Sequence, residues 1–165
     1  RLAHLQQIVD GLPGSAALVV PNFSLGSVIG TALAQLAAPF FHSVEIVESH
    51  HAAKVDSPSG TAVRTAELIA QARAGEPIDA PWAEQPARGQ LIAGVPVHSL
   101  RLAGVVARQE VRFGGAGEVL TVTHDTHSND AYRAVIRAAL EAIGEQAGLV
   151  VGLDAVLGIA PGARA

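Results

Sequence analysis

Apolar and polar positions alternate along this chain in two rhythms, and each rhythm predicts a set of elements. Leu2 to Val9 reads as the end of a helix, stopped by Gly11 and Pro13. Ala16 to Val20 is a short apolar run suited to a buried strand, broken by Pro21-Asn22-Phe23-Ser24. Leu25, Val28, Ile29, Ala32, Leu33 and Leu36 then fall on one helical stripe. Asn22 or Ser24 can cap that helix, and Pro39 lies just past its end. Phe41 to Ser49 reads as a strand, with Val44, Ile46, Glu48 and His50 on one face if the extension continues. A polar loop from His50 to Ser59 leads to a second helix, opened by Gly60 and Thr61. It runs to about Arg73 with Ala62, Ala66, Ile69 and Ala70 on its stripe.

Ala74 to Gly94 has little periodicity and predicts a long irregular excursion with a short strand at Gln90 to Ala93. Val95 to Leu102 is the next strand, placed for a crossover connection. After Gly104, Val105, Ala107, Gln109, Val111 and Phe113 face one way; Val106, Arg108, Glu110 and Arg112 face the other. Gly114-Gly115-Ala116-Gly117 is the turn, and Glu118 to Asp125 the return strand of a hairpin. Tyr132, Val135, Ile136, Ala139, Leu140 and Ile143 mark a closing helix that Gly148 ends, with Ser128 or Asn129 as cap. The predicted class is α+β: a mixed sheet of about four strands with helices on one face. So few helices leave one sheet face in need of a partner domain or subunit.

Composition narrows the function classes. The chain has 165 residues, 49% of them hydrophobic, which excludes intrinsic disorder. A net charge of −4 without a long basic run argues against nucleic-acid or anionic-membrane binding. No apolar run approaches the ~18 residues of a membrane span, and the first residues lack a signal-peptide core. A cytoplasmic location is expected. With no cysteine, disulfides, thiolate catalysis and Cys-ligated zinc are excluded. There is no methionine, so Arg1 is not a translational start, and the chain reads as a piece of a longer protein. Of the 11 basic residues all but Lys54 are arginine. Lysine can give up its proton where arginine effectively cannot, which marks Lys54 for attention.

The chemistry-bearing segment is Glu48-Ser49-His50-His51-Ala52-Ala53-Lys54-Val55-Asp56-Ser57-Pro58-Ser59-Gly60-Thr61. A helix that begins near Gly60 points free N–H groups and a positive dipole end outward, and Ser59 and Thr61 add hydroxyl donors. That is an anion site suited to a carboxylate or phosphate, although Ser-Gly-Thr also opens many helices that bind nothing. His50 and His51 read either as idle solvated side chains or as proton carriers. A shared metal is disfavoured, because chain neighbours cannot easily ligate one ion and no His-Glu-x-x-His spacing exists. The concurrence of the sole lysine, a histidine pair and a helix start suits a dianionic substrate. Gly114 to Gly117 resembles a phosphate cradle in composition only, since it joins two strands. His98 and His124 lie on predicted strands, where structural histidines are common. Asp125 and His127 sit at a strand end within reach of a site.

The segment from Glu48 to Ala62 resembles the signature Glu-x-His-His-x-x-Lys-x-Asp-x-Pro-Ser-Gly-Thr-Ala of the bacterial 4-hydroxy-tetrahydrodipicolinate (dihydrodipicolinate) reductase family at every fixed position. Pro21 to Gly26, His98 to Gly104 and Gly117 to Asp125 resemble flanking segments of that family, so the similarity covers nearly the whole chain. The resemblance implies a two-domain enzyme: a Rossmann domain that binds NADH or NADPH, and an α+β domain that binds substrate and builds a homotetramer. No Gly-x-Gly-x-x-Gly follows a strand here, so the chain resembles the C-terminal portion. Residues 1–20 would be a remnant of the nucleotide domain, 21–128 the substrate-binding and oligomerisation domain, and 129–165 a closing helix and tail that packs back toward the nucleotide domain.

By position, the resemblance makes His50 the acid–base histidine and Lys54 the proton donor. It assigns His51, Ser59, Gly60 and Thr61 to the substrate's carboxylates, and Asn22 and Phe23 to the neighbourhood of the nicotinamide. It implies NAD(P)H-dependent reduction of a cyclic unsaturated imine dicarboxylate to tetrahydrodipicolinate, in lysine and diaminopimelate biosynthesis. Lacking most of the cofactor site, the chain alone is expected to be inactive. One departure is Asn129, where the family often has arginine. The alternative is a stand-alone, non-enzymatic oligomeric dicarboxylate-binding module. A histidine-based metal hydrolase is a third reading.

Overall fold

The computed structural model describes residues 2–154 and 156–159. Arg1, Ala155 and residues 160–165, which the sequence reading placed in the terminal segments, lie outside the described residues. The helices are α1 (Leu2–Asp10), α2 (Leu25–Ala37), α3 (Gly60–Ala72) and α4 (Arg133–Ile143). The strands are β1 (Ala16–Val19), β2 (Ser43–His51), β3 (Gln90–Ile92), β4 (Val95–Leu102), β5 (Ala107–Gly115), β6 (Glu118–Thr126) and β7 (Gly148–Val151). Short 3₁₀ turns cover Ala38–Phe40, Pro86–Arg88 and Asn129–Tyr132.

Five strands form a mixed sheet in the order β3-β4-β2-β5-β6, one more than the four expected. The central strand β2 runs parallel to β4, with Ile46 opposite Val97, and antiparallel to β5, with Val44 opposite Phe113. β5 and β6 form the anticipated hairpin, Gly115 opposite Glu118. The period-2 alternation then sorts side chains by face. Val44, Ile46, Val95, Val97, Val111 and Phe113 are buried beneath Ala34, Ala38, Ala62, Ala66 and Ile69 of the helical layer. α3 lies over β2, β3 and β4, and α2 over β5 and β6.

The opposite face carries a charged ladder. Arg108 and Arg112 both bond Glu110, and Arg108 also reaches Asp125. Beside this ladder Leu100 and Leu102 are exposed. The arginines hold the Glu110 carboxyl below its usual range.

α2 departs from expectation. Its large residues, Leu25, Ile29, Leu33 and Leu36, are exposed, Leu36 by 60%. The helix buries Ser27 and Ala34 instead, and a Cβ on Gly30 would touch Val122 and His124 on the sheet. Small residues let the α2 backbone come close to β6, and the leucine stripe is left outward.

The closing region also differs. α4 stops at Ile143 with Gly144 as cap, so Gly148 does not end it. Gly148 starts β7, which pairs parallel with β1 from Ala16 opposite Gly148 to Val19 opposite Val151. A second core forms around Val135, Ala139 and Leu153, with Leu18, Val20, Phe23 and Val28 against it.

The excursion after α3 is anchored rather than loose. Arg73 is buried and its guanidinium donates to the carbonyls of Ala38, Phe41, Glu76 and Pro77. Gly89 ends this stretch at φ 79°, where a Cβ would lie 2.5 Å from the Val97 carbonyl oxygen. Only glycine satisfies both the backbone and that approach.

Candidate functional site

β2 ends in the signature segment, and its alternation sends successive side chains to opposite faces. Glu48 and His50 point to the helical side, and Glu48 is fully buried. A carboxylate at that depth needs partners, and four nitrogen donors meet it. Oε1 accepts from Arg101 Nη2 at 3.0 Å and from the Ser59 backbone N–H at 3.2 Å. Oε2 accepts from Arg101 Nη1 at 3.0 Å and sits 2.6 Å from His50 Nδ1. Burial alone would raise this pKa, but hydrogen bonds from Arg101, Ser99 and His50 outweigh it, and the carboxyl stays below its ordinary value. Arg101 faces His50 across the β2–β4 ladder, which is why its guanidinium can reach Glu48.

The loop beyond β2 is tied to this centre. Arg101 also donates to the carbonyls of Lys54 and Asp56. Lys54 Nζ donates to Asp56 Oδ1 at 2.7 Å. That bond, before all else, draws the Asp56 pKa down. Ser59 caps α3 by accepting from the Ala62 N–H at 3.2 Å, which leaves the first-turn N–H groups of Gly60 and Thr61 at the helix mouth. A Cβ on Gly60 would meet no protein atom within 4 Å, so the space over that turn is open.

Asn22, from the segment after β1, arrives at the same place. Its Nδ2 donates to Thr61 Oγ1 at 3.1 Å and to Ser27 Oγ at 2.9 Å, while Oδ1 accepts from the Ser24 N–H at 2.8 Å. Ser24 stands at the N-cap of α2 without a side-chain cap bond, because its hydroxyl lies 3.1 Å from His124 Nε2. An open cleft lies between these groups. His50, Thr61 and Asn22 line it together with Arg108, Gln109, His124 and Tyr132.

Thus three of the residues singled out from sequence meet in one cleft. Lys54 stands on the adjoining loop, Ser59 is buried under the helix start, and Gly60 is exposed at its mouth. His51 is exposed at the end of β2, on the face opposite His50. Phe23 packs into the second core rather than the cleft. Among the described residues no group of three His, Cys, Asp or Glu side chains could hold a metal ion. No described helix is long and apolar enough to cross a membrane.

Sequence reasoning missed Arg101, Gln109 and His124. The signal for His124 was available, since it shares a strand face with Val122 and lies opposite Gln109. Burial lowers the His124 pKa, against a smaller opposing effect of Asp125, and so favours a neutral ring. That ring fills the place of a missing side chain: a Cβ on Gly26 would lie 2.3 Å from its Cδ2. Gly26→Ala is therefore expected to displace His124 from Ser24 and to lower the unfolding free energy by about 1–3 kcal/mol. Urea denaturation with the His124 ring signals followed by NMR checks this, and an unchanged midpoint would count against the close approach.

Comparison with known proteins shows the family. Residues 26–157 match the family model described as dihydrodipicolinate reductase, C-terminus. A 4-hydroxy-tetrahydrodipicolinate reductase of Clavibacter michiganensis is 54% identical over 95% of this chain and 57% of its own length. Its counterpart in Streptomyces coelicolor is 47% identical over 93% of this chain and 64% of its own. A solved structure described as dipicolinate-bound dihydrodipicolinate reductase from Paenisporosarcina sp. TG-14 superposes with a TM-score of 0.74 at 38% identity. It covers 84% of this chain and 53% of that one. The chain thus spans between about half and two-thirds of the length of the proteins it matches. The matched stretch takes in the five-stranded sheet, the signature segment and most of the cleft, so this chain belongs to the dihydrodipicolinate reductase family, within which it corresponds to the C-terminal domain.

Proposed function

We propose that this chain is the substrate-holding part of a 4-hydroxy-tetrahydrodipicolinate reductase of lysine and diaminopimelate biosynthesis, working in the cytoplasm as a homotetramer. In that reading a cyclic unsaturated imine dicarboxylate is reduced to tetrahydrodipicolinate. The observation that carries it is the meeting of His50 and Thr61 in one cleft, at the open mouth of α3. A helix start of this kind favours a carboxylate through its free N–H groups and its dipole. The dipicolinate-bound relative supports a planar dicarboxylate as ligand. The open sheet face, with exposed Leu100 and Leu102 beside the arginine–glutamate ladder, supports association of several copies.

NADH or NADPH, when bound, supplies the hydride. The described residues do not fit a dinucleotide cradle. β1 runs into Pro21-Asn22-Phe23-Ser24 without a glycine-rich turn, and the Asn22 carboxamide is committed to Ser24, Ser27 and Thr61. The chain's own residues perform the other half of the work. Ser59 holds the helix start in place, Gly60 and Thr61 bind a carboxylate, and Lys54 adds positive charge from the loop. Lys54 Nζ or His50 Nε2 delivers the proton.

Calorimetric titration of the chain with pyridine-2,6-dicarboxylate tests this reading. Lys54→Ala and Thr61→Val are each expected to weaken binding at least tenfold, about 1.4 kcal/mol. Equal affinity in wild type and both variants would overturn the assignment of these residues. Absence of binding by the wild type would overturn a preformed dicarboxylate site.

A further inference from the structure

Glu48 occupies a position where the fold asks for an apolar residue. Its neighbours on the same face of β2, Val44 and Ile46, are core residues, and Glu48 lies as deep as they do. An ion pair at that depth adds little net stability over a well-packed hydrophobic side chain, so a buried acid calls for another explanation. The geometry supplies one. Each carboxylate oxygen has two donors: Arg101 and Ser59 on Oε1, Arg101 and His50 on Oε2. With the guanidinium fork on one side and a backbone N–H on the other, the carboxylate plane cannot turn. The one ring atom it meets is His50 Nδ1.

We propose that Glu48 is the positioning residue of the site: it locks His50 with its proton on Nδ1 and leaves the Nε2 lone pair as the ring's only free nitrogen at the cleft. This rests on the dicarboxylate-site reading given above. An ionised carboxylate can only accept, so Nδ1 must donate, and the hydrogen bond on one ring nitrogen decides the state of the other. The arrangement parallels histidines whose second nitrogen is fixed by an outer carboxylate. While neutral, His50 therefore accepts a hydrogen bond from the cleft and offers none. The step it permits is one proton transfer at Nε2. Proton uptake from solvent hydronium at Nε2 gives an imidazolium beside an ionised carboxylate, able to give that proton to the substrate. Proton release restores the neutral ring. Arg101 keeps Glu48 ionised and still, and its own hydrogen bonds go to Glu48 and to backbone carbonyls, not to the ring.

The test is the ring's tautomer in the chain labelled with ¹⁵N-histidine, read by two-bond ¹H–¹⁵N correlation above the imidazole titration range. His50→Gln identifies the His50 signals by their loss, and exposed His4 gives the solution reference. The expected spectrum has His50 Nδ1 in the protonated range and Nε2 in the unprotonated range, opposite to the form that free imidazole prefers. A proton on Nε2, or averaging like that of His4, would overturn the proposal. Glu48→Gln is expected to shift His50 toward the His4 pattern, and a folded Glu48→Gln chain with the tautomer unchanged would also overturn it. Should that variant not fold, the wild-type spectrum decides alone. Adding pyridine-2,6-dicarboxylate to the same sample separates the two readings. A locked ring with no ligand response counts against the dicarboxylate site and leaves the Glu48–His50 pairing standing.

Discussion

Phe113→Ala is expected to lower the unfolding free energy by about 3–5 kcal/mol, as large aromatic truncations in a closed core do. Phe113 is among the largest fully buried side chains, at 1% exposed. It sits on β5 opposite Val44 of the central strand, and its ring lies against Phe41 with centroids 5.6 Å apart. The surrounding Val44, Val111 and alanine-rich helices belong to the same cluster and are themselves closely set, so the site collapses poorly around a void. Marginal stabilities of about 5–15 kcal/mol make such a loss a large fraction of the whole. Urea unfolding measures it. Phe113→Leu, which keeps most of the volume, is expected to cost less than half as much. Equal losses for the two variants would argue that volume is not what this position supplies.

Arg101→Met is expected to cost about 3 kcal/mol, because it strands a buried carboxylate instead of deleting an ion pair. Glu48 would keep His50, the Ser59 N–H and the Ser99 side chain as donors but no cationic fork, and the loop at Lys54 and Asp56 would lose the guanidinium that ties it to the sheet. The double variant Glu48→Met, Arg101→Met is expected to recover much of the loss, since no unpaired charge remains buried. The pH dependence follows from the sign of the Glu48 shift. In the wild type its pKa is held below the ordinary carboxylate value, so its contribution is complete above that value. It is lost as pH falls through the lower, folded-state pKa. The gap between wild type and Arg101→Met should therefore narrow on acidification, as protonation removes the stranded charge. A gap that stays constant from neutral to acidic pH would mean that Arg101 acts through packing alone.

Much of this architecture was legible wherever local periodicity and burial coincide. The alternation from Val44 to His50 located the buried face of β2, and Val95 to Leu102 and the hairpin were readable for the same reason. α2 misled because two kinds of order compete on it. Its leucines mark the most hydrophobic stripe, while the sheet selects Ser27, Gly30 and Ala34 for size. β7 went unread because four residues that begin with a glycine carry too little pattern, and its strand character comes from β1, far away in sequence. The signature segment disclosed the residue types of the site but not their geometry. That Asn22 would bond Thr61, or that Arg101 would reach past its ladder partner to Glu48, depends on tertiary register. His124 read as a routine strand histidine, since nothing local says that Gly26 leaves room for its ring.

The parallel pairing of β1 with β7 also has a mechanical meaning. β1 is entered from its N-terminal end and β7 is left from its C-terminal end, and the two strands run in the same direction. A pull applied outside this pair at both sides therefore loads the strands in shear, so that the rungs bear tension together instead of parting one after another. The five-stranded unit lies wholly between the two strands along the chain and hangs as a side loop off that clasp, sheltered from tension until the clasp gives way.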